Sequence, residues 1–525
     1  MTEIEQALLK QVASLTQERD LLQAQVEQSR EAYDQLMFKM KEMLRHRFGS
    51  KSERYIDPDN PQQSFDDLFD DDPQDEAQDL EEDSVNDVVD INAYRRRKKA
   101  KKAFSDHLPR KEIIVPVSDH DKTCTCGCQK KVIRHERHER LHYVPPVFEV
   151  HVELREVVAC IRGCAGQMAT AEKPKHILPK ARFTESVLAH IIVSKIDDRQ
   201  PFYHLEKQFE KRSGVTFSRQ TMAKSAIDCA EELQPLFNLM KDHIIGYDIG
   251  ALDATTFQVL NEPGRLPTTK SYAYCFRGGP PGKESILYEY NCESHKTFVR
   301  DWFEGFSGYL HCDADPFFKF LFESDSIQAS FCSAHSRRKY EPIAKAASGN
   351  GIAKQAMRYY RKLYRIENRA KREEMSAEQR YALRQEHSAP LLKEIKQWLD
   401  QVYPTVLPKS PLGKALFYTI KNWDEFCTFL KDGRLEIDNN LTEQEIKPFV
   451  IARKNFMFSQ SVAGAKALCL HFSLIRTAKK HDLDPYHYYT EILKRIPHCE
   501  SVADYEALLP WNIELVKVGC VEKAA

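Results

Sequence analysis

Three carboxylates, Asp253, Asp313 and Glu443, stand where strand ends and a helix start could bring acids together. Asp253 lies in Gly246-Tyr-Asp-Ile-Gly-Ala-Leu-Asp-Ala-Thr-Thr-Phe-Gln-Val-Leu260, which reads as a strand. Asp313 ends a second strand-like run, Gly308-Tyr-Leu-His-Cys-Asp313, and Glu443 closes Gly433-Arg-Leu-Glu-Ile-Asp-Asn-Asn-Leu-Thr-Glu443 at the opening of a helix. Clustered carboxylates can bridge two divalent ions about 3.5–4 Å apart, which activate and stabilise the in-line oxygens of phosphoryl transfer. Without metal the same acids repel one another. Plainer readings compete. Asp253 could cap a strand end, Asp315 rivals Asp313, and Glu443 stands three residues after Asn440, where a capping-box-like turn would use it. With 78 acidic residues in the chain, spacing alone does not single these three out.

A second cluster is built of cysteine. Cys124, Cys126 and Cys128 precede Cys160 and Cys164, two knuckles joined by a β-like spacer, as a structural zinc ribbon requires. One of the first three is surplus, which one is open, and His135, His138 or His142 could substitute. Buried free thiols are the alternative. The expected role of Zn²⁺ is in folding and DNA docking, not catalysis.

A third candidate is a pair of helices. Pro201–Lys211 places Phe202, Leu205 and Phe209 on one face, Ser213-Gly214 breaks it, and Ser218 reads as the N-cap of a helix beginning Arg219-Gln220-Thr221. Such a helix-turn-helix suits major-groove contacts from Arg219, Gln220 and Lys224, although any helical hairpin shares the pattern.

The surrounding chain must position these groups. At 525 residues it should hold several domains. Residues 4–44 carry a heptad of Leu8, Leu15, Leu22, Leu36 and Met43, broken only by Ser29, which predicts a two-stranded coiled coil and self-association, a helix packed on its own protein being the alternative. Tyr55–Tyr94 has no Lys or Arg and many Asp and Glu, and Arg95–Lys102 then reverses the charge, so this linker reads as disordered. Its basic arm is a candidate for phosphates; a solubilising linker is the plainer reading. Short β-type runs (Glu112–Val117, Val147–Val158) surround the cysteines, residues 183–245 look helical, and strand-like segments return at Ile244–Val259, Lys270–Phe276, Ile286–Tyr290 and Gly308–Cys312. Residues 340–430 are helical and begin basic, and a last helical block spans about 440–495. The net charge of −1 hides this polarity along the chain. No run approaches the ~20 apolar residues of a membrane span, the N-terminus lacks a secretion signal, and the 14 cysteines do not form a disulfide framework. A cytoplasmic protein without membrane partners is expected.

The sequence resembles the transposases of the bacterial insertion sequence 66 family over nearly its whole length. The most specific block is Asp432-Gly-Arg-Leu-Glu-Ile-Asp-Asn-Asn-Leu-Thr-Glu-Gln-Glu-Ile-Lys-Pro448, followed by Ala452-Arg-Lys-Asn-Phe-Met-Phe458 and Ser473-Leu-Ile-Arg-Thr-Ala-Lys479. Leu44–Glu53, the cysteine pair, Val193-Ser-Lys195, Ala334-His335-Ser-Arg-Arg-Lys-Tyr340 and Leu383-Arg-Gln-Glu-His387 match as well. The resemblance implies a ribonuclease-H-like core with Asp253, Asp313 and Glu443 as first, second and third acids and a helical insertion at roughly Tyr340–Leu430. It also makes His335, Arg338, Arg453 and Lys454 candidates for DNA contact. The chain departs from the family pattern at Ala254, Thr255 and Thr256, at Ala314, at Gln444 and Lys447, and at Gln460-Ser461.

The expected fold class is therefore multidomain α+β. It comprises a coiled coil (1–53), an acidic then basic linker (54–107), a zinc-binding domain (108–180), a helical DNA-binding segment (181–245), a ribonuclease-H-like α/β core in two parts (246–339 and 431–495) around the insertion (340–430), and a tail (496–525). The expected activity is DNA transposition: binding insertion-sequence ends and cutting and transferring strands with two Mg²⁺ ions, or Mn²⁺. Expected partners are transposon ends, target DNA, a second copy of the chain and small accessory proteins. The alternative is a catalytically decayed DNA-binding or assembly protein.

Overall fold

A computed structural model describes residues 148–159, 168–292, 295–347 and 351–515. The coiled-coil heptad, the charged linker, Glu112–Val117, and Cys124, Cys126, Cys128, Cys160 and Cys164 lie outside the described residues, as do His135, His138 and His142. The described residues are mixed α/β and mostly helical. No helix among the described residues is long and apolar enough to cross a membrane.

At the described N-terminal end, β1 (Val157–Ala159) and β2 (Met168–Thr170) form an antiparallel pair. The alternation over Val147–Val158 predicts a longer strand, yet only Val157–Ala159 pairs, and Val150, Val152 and Leu154 are 89%, 73% and 88% exposed. Alternation gives a strand two faces; it does not supply a neighbour to cover one.

Four helices follow: Glu185–Ile196, Phe202–Ser213, Arg219–Glu232 and Gln234–Ile245. The break between the second and third falls at Gly214, whose φ of 64° is the left-handed cap geometry glycine tolerates best. Ser218 caps the third helix by accepting the amide of Thr221. Leu205, Phe209 and Met222 are buried where these helices meet, as the apolar spacing requires.

The central sheet comprises β3 (Ile249–Phe257), β5 (Ser271–Gly278), β6 (Ser285–Asn291), β7 (Gly308–Cys312) and β8 (Ile327–Phe331), in the order β6-β5-β3-β7-β8. The first three are antiparallel, whereas β7 and β8 run parallel to β3. The helix His295–Trp302 makes the crossover into β7, and a 3₁₀ segment, Pro316–Glu323, separates β7 from β8. A two-residue-spaced parallel bridge joins β4 (Val259–Asn261) to β9 (Ser459–Ser461).

The helix Val462–Lys480 closes the β6 edge with side chains one turn apart. Ser473 Oγ accepts the amide of Tyr288 at 2.7 Å, and Thr477 Oγ1 accepts that of Ile286 at 3.0 Å. An edge strand otherwise exposes a row of unpaired donors, so this segment of the Ser473–Lys479 motif finishes the sheet. Residues past 495 also join the core: Leu508 and Leu509 are fully buried, and Tyr488 donates its hydroxyl to the carbonyl of Leu508.

Between β8 and the helix Asn440–Phe456 the chain runs through helices Ser333–Ala346, Ile352–Arg372, Ala377–Leu383, Ala389–Val402 and Pro411–Lys421. One turn of π-helix, Arg384–Ser388, sits among them. Arg384 is wholly buried there. Its guanidinium donates to both oxygens of Glu367 at 2.8 Å and to the carbonyls of Phe429, Asp432 and Leu435 at 2.8, 2.9 and 2.7 Å. Arg380 links Glu367 to Glu436. Burial opposes the charge on Glu436, but Arg380 and Lys371 outweigh it and hold that carboxyl down at about 2. Gly433 permits the close approach, since a Cβ there would stand 1.8 Å from the carbonyl oxygen of Ala377. The insertion thereby fixes the loop that leads to Glu443.

Candidate active site

Asp253 is carried mid-strand on β3, opposite Cys275 of β5. Its Oδ1 accepts the amide of Ala254 at 2.7 Å. Asp313 directly follows β7, and the amide of Cys332, one residue past β8, donates to the carbonyl of Cys312 beside it. Its rival is otherwise engaged: Asp315 accepts the amide of Phe317 and caps the 3₁₀ segment.

Glu443 reaches the site through Asn439. That residue is 2% exposed, donates its side-chain amide to the carbonyl of Leu252 at 3.2 Å, and donates its backbone amide to Cys332 Sγ at 3.1 Å. The first bond ends one residue from Asp253 and the second just past β8, so the helix start is tied to both halves of the sheet. Asp438 accepts the amide of Asn440, and Tyr364 donates to the other oxygen of Asp438. The capping-box reading of Glu443 does not hold: no side-chain bond caps this helix at Asn439, and the Glu443 carboxylate turns instead to Arg338. Arg338 Nη2 lies 2.6 Å from Oε2 and Nη1 3.2 Å from Oε1, while His335 Nδ1 lies 3.5 Å from Oε1.

The acids feel one another. Burial first, and then the charges of Asp313 and Glu443, push the Asp253 carboxyl up to about 7 against the opposing pull of the Ala254 amide and Arg338. Asp313 is also raised, by burial and then by Asp315 and Glu443, while His335 pulls it down. Neither aspartate has an ion-pair partner among the described residues. Carboxylates raised by burial and then by one another's charge, with hard oxygen donors that no cation of the described residues pairs, fit Mg²⁺ or Mn²⁺.

A softer grouping overlaps them: Cys332, His335 and Glu443 offer ligand atoms within 4.8 Å of one another. Burial pushes the Cys332 thiol up to about 12 and it already accepts the Asn439 amide, so it is a poor thiolate donor.

The other candidates for DNA contact are dispersed. Arg219, Gln220 and Lys224 are exposed along the first turns of their helix, with Lys224 paired to Asp228 at 3.0 Å. Arg453 donates to the backbone carbonyl and hydroxyl of Thr256, fastening its helix to β3, and Lys454 is exposed next to it. His335 and Arg338 stand within the acid cluster. Of the altered neighbours, Ala314 is buried in the core and Gln444 faces solvent. Asn439 and Cys332 are the positioning residues that the sequence reading missed; Asn439 was in view only as one letter of the Asp432–Pro448 block.

Comparison with known proteins finds matches along the chain. A model described as Transposase IS66 family matches residues 180–467, one for the IS66 C-terminal element matches 473–511, and one described as Transposase C of IS166 homeodomain matches 35–113. Uncharacterized protein y4qI of Sinorhizobium fredii (strain NBRC 101917 / NGR234) is 31% identical over 443 residues, covering 81% of this chain and 79% of its own. Uncharacterized protein y4jD of the same strain is 29% identical over 425 residues, 79% of this chain and 82% of its own.

Proposed function

The chain belongs to the IS66 family of transposases, and we propose that it binds insertion-sequence ends and cuts and joins DNA with Asp253, Asp313 and Glu443 as its catalytic acids. The observation that supports this reading is the placement of the three acids: Asp253 on β3, Asp313 just past the neighbouring parallel strand β7, and Glu443 in the first turn of a helix that Asn439 ties to Leu252 and Cys332. The β6-β5-β3-β7-β8 order, with an antiparallel half and a parallel half, supports a ribonuclease-H-like core interrupted by the helical insertion.

Two Mg²⁺ or Mn²⁺ ions held by these acids would supply Lewis acidity to the attacking and leaving oxygens of the scissile phosphate. The protein's own part is placement. Asp253 and Asp313 offer oxygens from neighbouring strands of a hydrogen-bonded sheet, and Asn439 fixes the helix that delivers Glu443. Arg338 orients Glu443 and offsets its charge, and with His335 it is placed to meet the phosphates of an entering strand. Water oxygen attacks phosphorus and the bond to the 3′ oxygen breaks, leaving a 3′-hydroxyl. The oxygen of that hydroxyl then attacks a target phosphorus, and the target's own bond from phosphorus to its 3′ oxygen breaks, releasing a 3′-hydroxyl on the target strand. Arg219, Gln220 and Lys224 read the ends, and pairing of subunits through residues 4–44 brings two ends together.

The test is strand cleavage by the full chain on duplex DNA carrying the element's own ends. Wild type should nick in Mg²⁺, while Asp253→Asn should bind the ends and leave them uncut. Equal cutting by the variant would overturn the active-site assignment; ends bound but uncut by wild type would favour a DNA-binding or assembly protein.

A further inference from the structure

Beside Asp313 the chain forms a cleft of about 420 Å³ between the 3₁₀ segment Pro316–Glu323 and the insertion helix Pro411–Lys421. Ala314, the residue after the second acid, lines it. Four lysines border the same space: Lys319 from the 3₁₀ segment, Lys339 from the helix Ser333–Ala346, and Lys414 and Lys421 from the insertion helix. No Asp or Glu side chain lines the cleft, and none of these lysines is paired with a carboxylate among the described residues.

Two aromatic rings lie among these charges. Phe417 is 49% exposed, and Tyr418 is partly buried with Lys339 Nζ 4.1 Å from its ring centre. Lys421 Nζ lies 5.8 Å from the Phe417 ring. Solvated lysines alone would explain the charge, but not an open phenylalanine in their midst. The combination suits a ligand with both an anion and a flat apolar face. A nucleotide has both, since phosphate takes the ammonium groups and every base offers a π-face. A volume of about 420 Å³ is on the scale of one nucleotide and too small for a stacked duplex, so a base would have to leave its helix to enter.

We propose that this cleft binds an unpaired nucleotide of the strand being cut, with its base on Phe417 and Tyr418 and its phosphates on Lys319, Lys339, Lys414 and Lys421. It rests on the strand-cutting reading above, because Asp313 is what places the cleft beside the scissile bond. The insertion then has a second role besides fixing the loop before Glu443. It grips the strand whose phosphate the acids address.

The test uses the full chain carrying Asp253→Asn, so that bound DNA stays intact. Its binding to a short single-stranded oligothymidylate is measured against salt, alongside a blunt duplex and polyglutamate. Phe417→Ala should weaken oligothymidylate binding about tenfold. Lys414→Gln with Lys421→Gln should reduce the slope of log affinity on log salt by about 1.4. Photocrosslinking from 5-iododeoxyuridine next to the cut site should map to Phe417 or Tyr418. Unchanged affinity and slope, crosslinks confined to other segments, or polyglutamate binding as tight as oligothymidylate would each overturn the proposal. A wild-type protein that leaves ends uncut in Mg²⁺ would instead count against the strand-cutting reading, whatever the oligonucleotide shows.

Discussion

The guanidinium of Arg338 closes on the carboxylate of Glu443 across 105 residues of sequence, with Nη2 2.6 Å from Oε2 and Nη1 3.2 Å from Oε1. Both side chains retain solvent contact, so the pair should contribute about 1 kcal/mol or less to stability. Its larger effect is geometric. A two-point grip fixes the plane of the third acid in a way that one hydrogen bond cannot.

Arg338→Ala should therefore shift the thermal midpoint only slightly while lowering end cleavage by about 100-fold, the cost of a small misplacement of a reacting group. Arg338→Lys should recover only part of this, because an ammonium cannot form the fork. Parallel measurement of melting and initial cleavage rate decides it. Unchanged cleavage in the alanine variant would remove Arg338 from the site.

Arg384 predicts the opposite balance. Its removal leaves buried Glu367 with Arg380 as its remaining partner and takes the donor from three carbonyls, so Arg384→Ala should cost about 3–5 kcal/mol in denaturant unfolding. Glu367→Leu combined with Arg384→Met should recover part of that stability, since the buried carboxylate is then gone and Arg380 keeps Glu436. A double variant as unstable as the single one would contradict this.

His471 gives a pH signature. It bridges Tyr489 and the carbonyl of Ala226 in the core, where burial holds its imidazole down at about 4 from an ordinary 6.5. The folded protein keeps this ring neutral while the unfolded chain takes up a proton near pH 6.5. Its contribution is therefore intact above that pH and is lost as pH falls from 6.5 to about 4, by about 3 kcal/mol in all. Against His471→Gln, wild-type stability should show that extra loss over this window. Parallel pH profiles would rule it out.

Arg219 and Gln220 are exposed at the start of their helix and are expected to face base edges. Alanine at either should weaken binding to the element's ends by about 1–3 kcal/mol while leaving binding to unrelated DNA nearly unchanged. Equal loss on both DNAs in a gel-shift titration would reduce them to phosphate contacts.

Local grammar made part of this structure legible in advance. Ser218 as a cap, Gly214 as a break and Gly308–Cys312 as a strand all follow from short-range preferences, and each appears in the fold. The strand Ile327–Phe331 and the helix His295–Trp302 were missed, because runs this short carry too few periods to stand out. Long-range partners were harder still. Nothing in the spacing says that Asn439 reaches Leu252 or that Arg338 reaches Glu443. Nor does the spacing say that Asp315, the neighbour of Asp313, spends its carboxylate capping the 3₁₀ segment.

Locating Mn²⁺ by anomalous diffraction in crystals of the full chain tests the central claim most directly. Asp253, Asp313 and Glu443 should ligate the metal, and Asp253→Asn should weaken or abolish the signal. Mn²⁺ held by Cys332, His335 and Glu443, with Asp253 and Asp313 left unligated, would contradict the account.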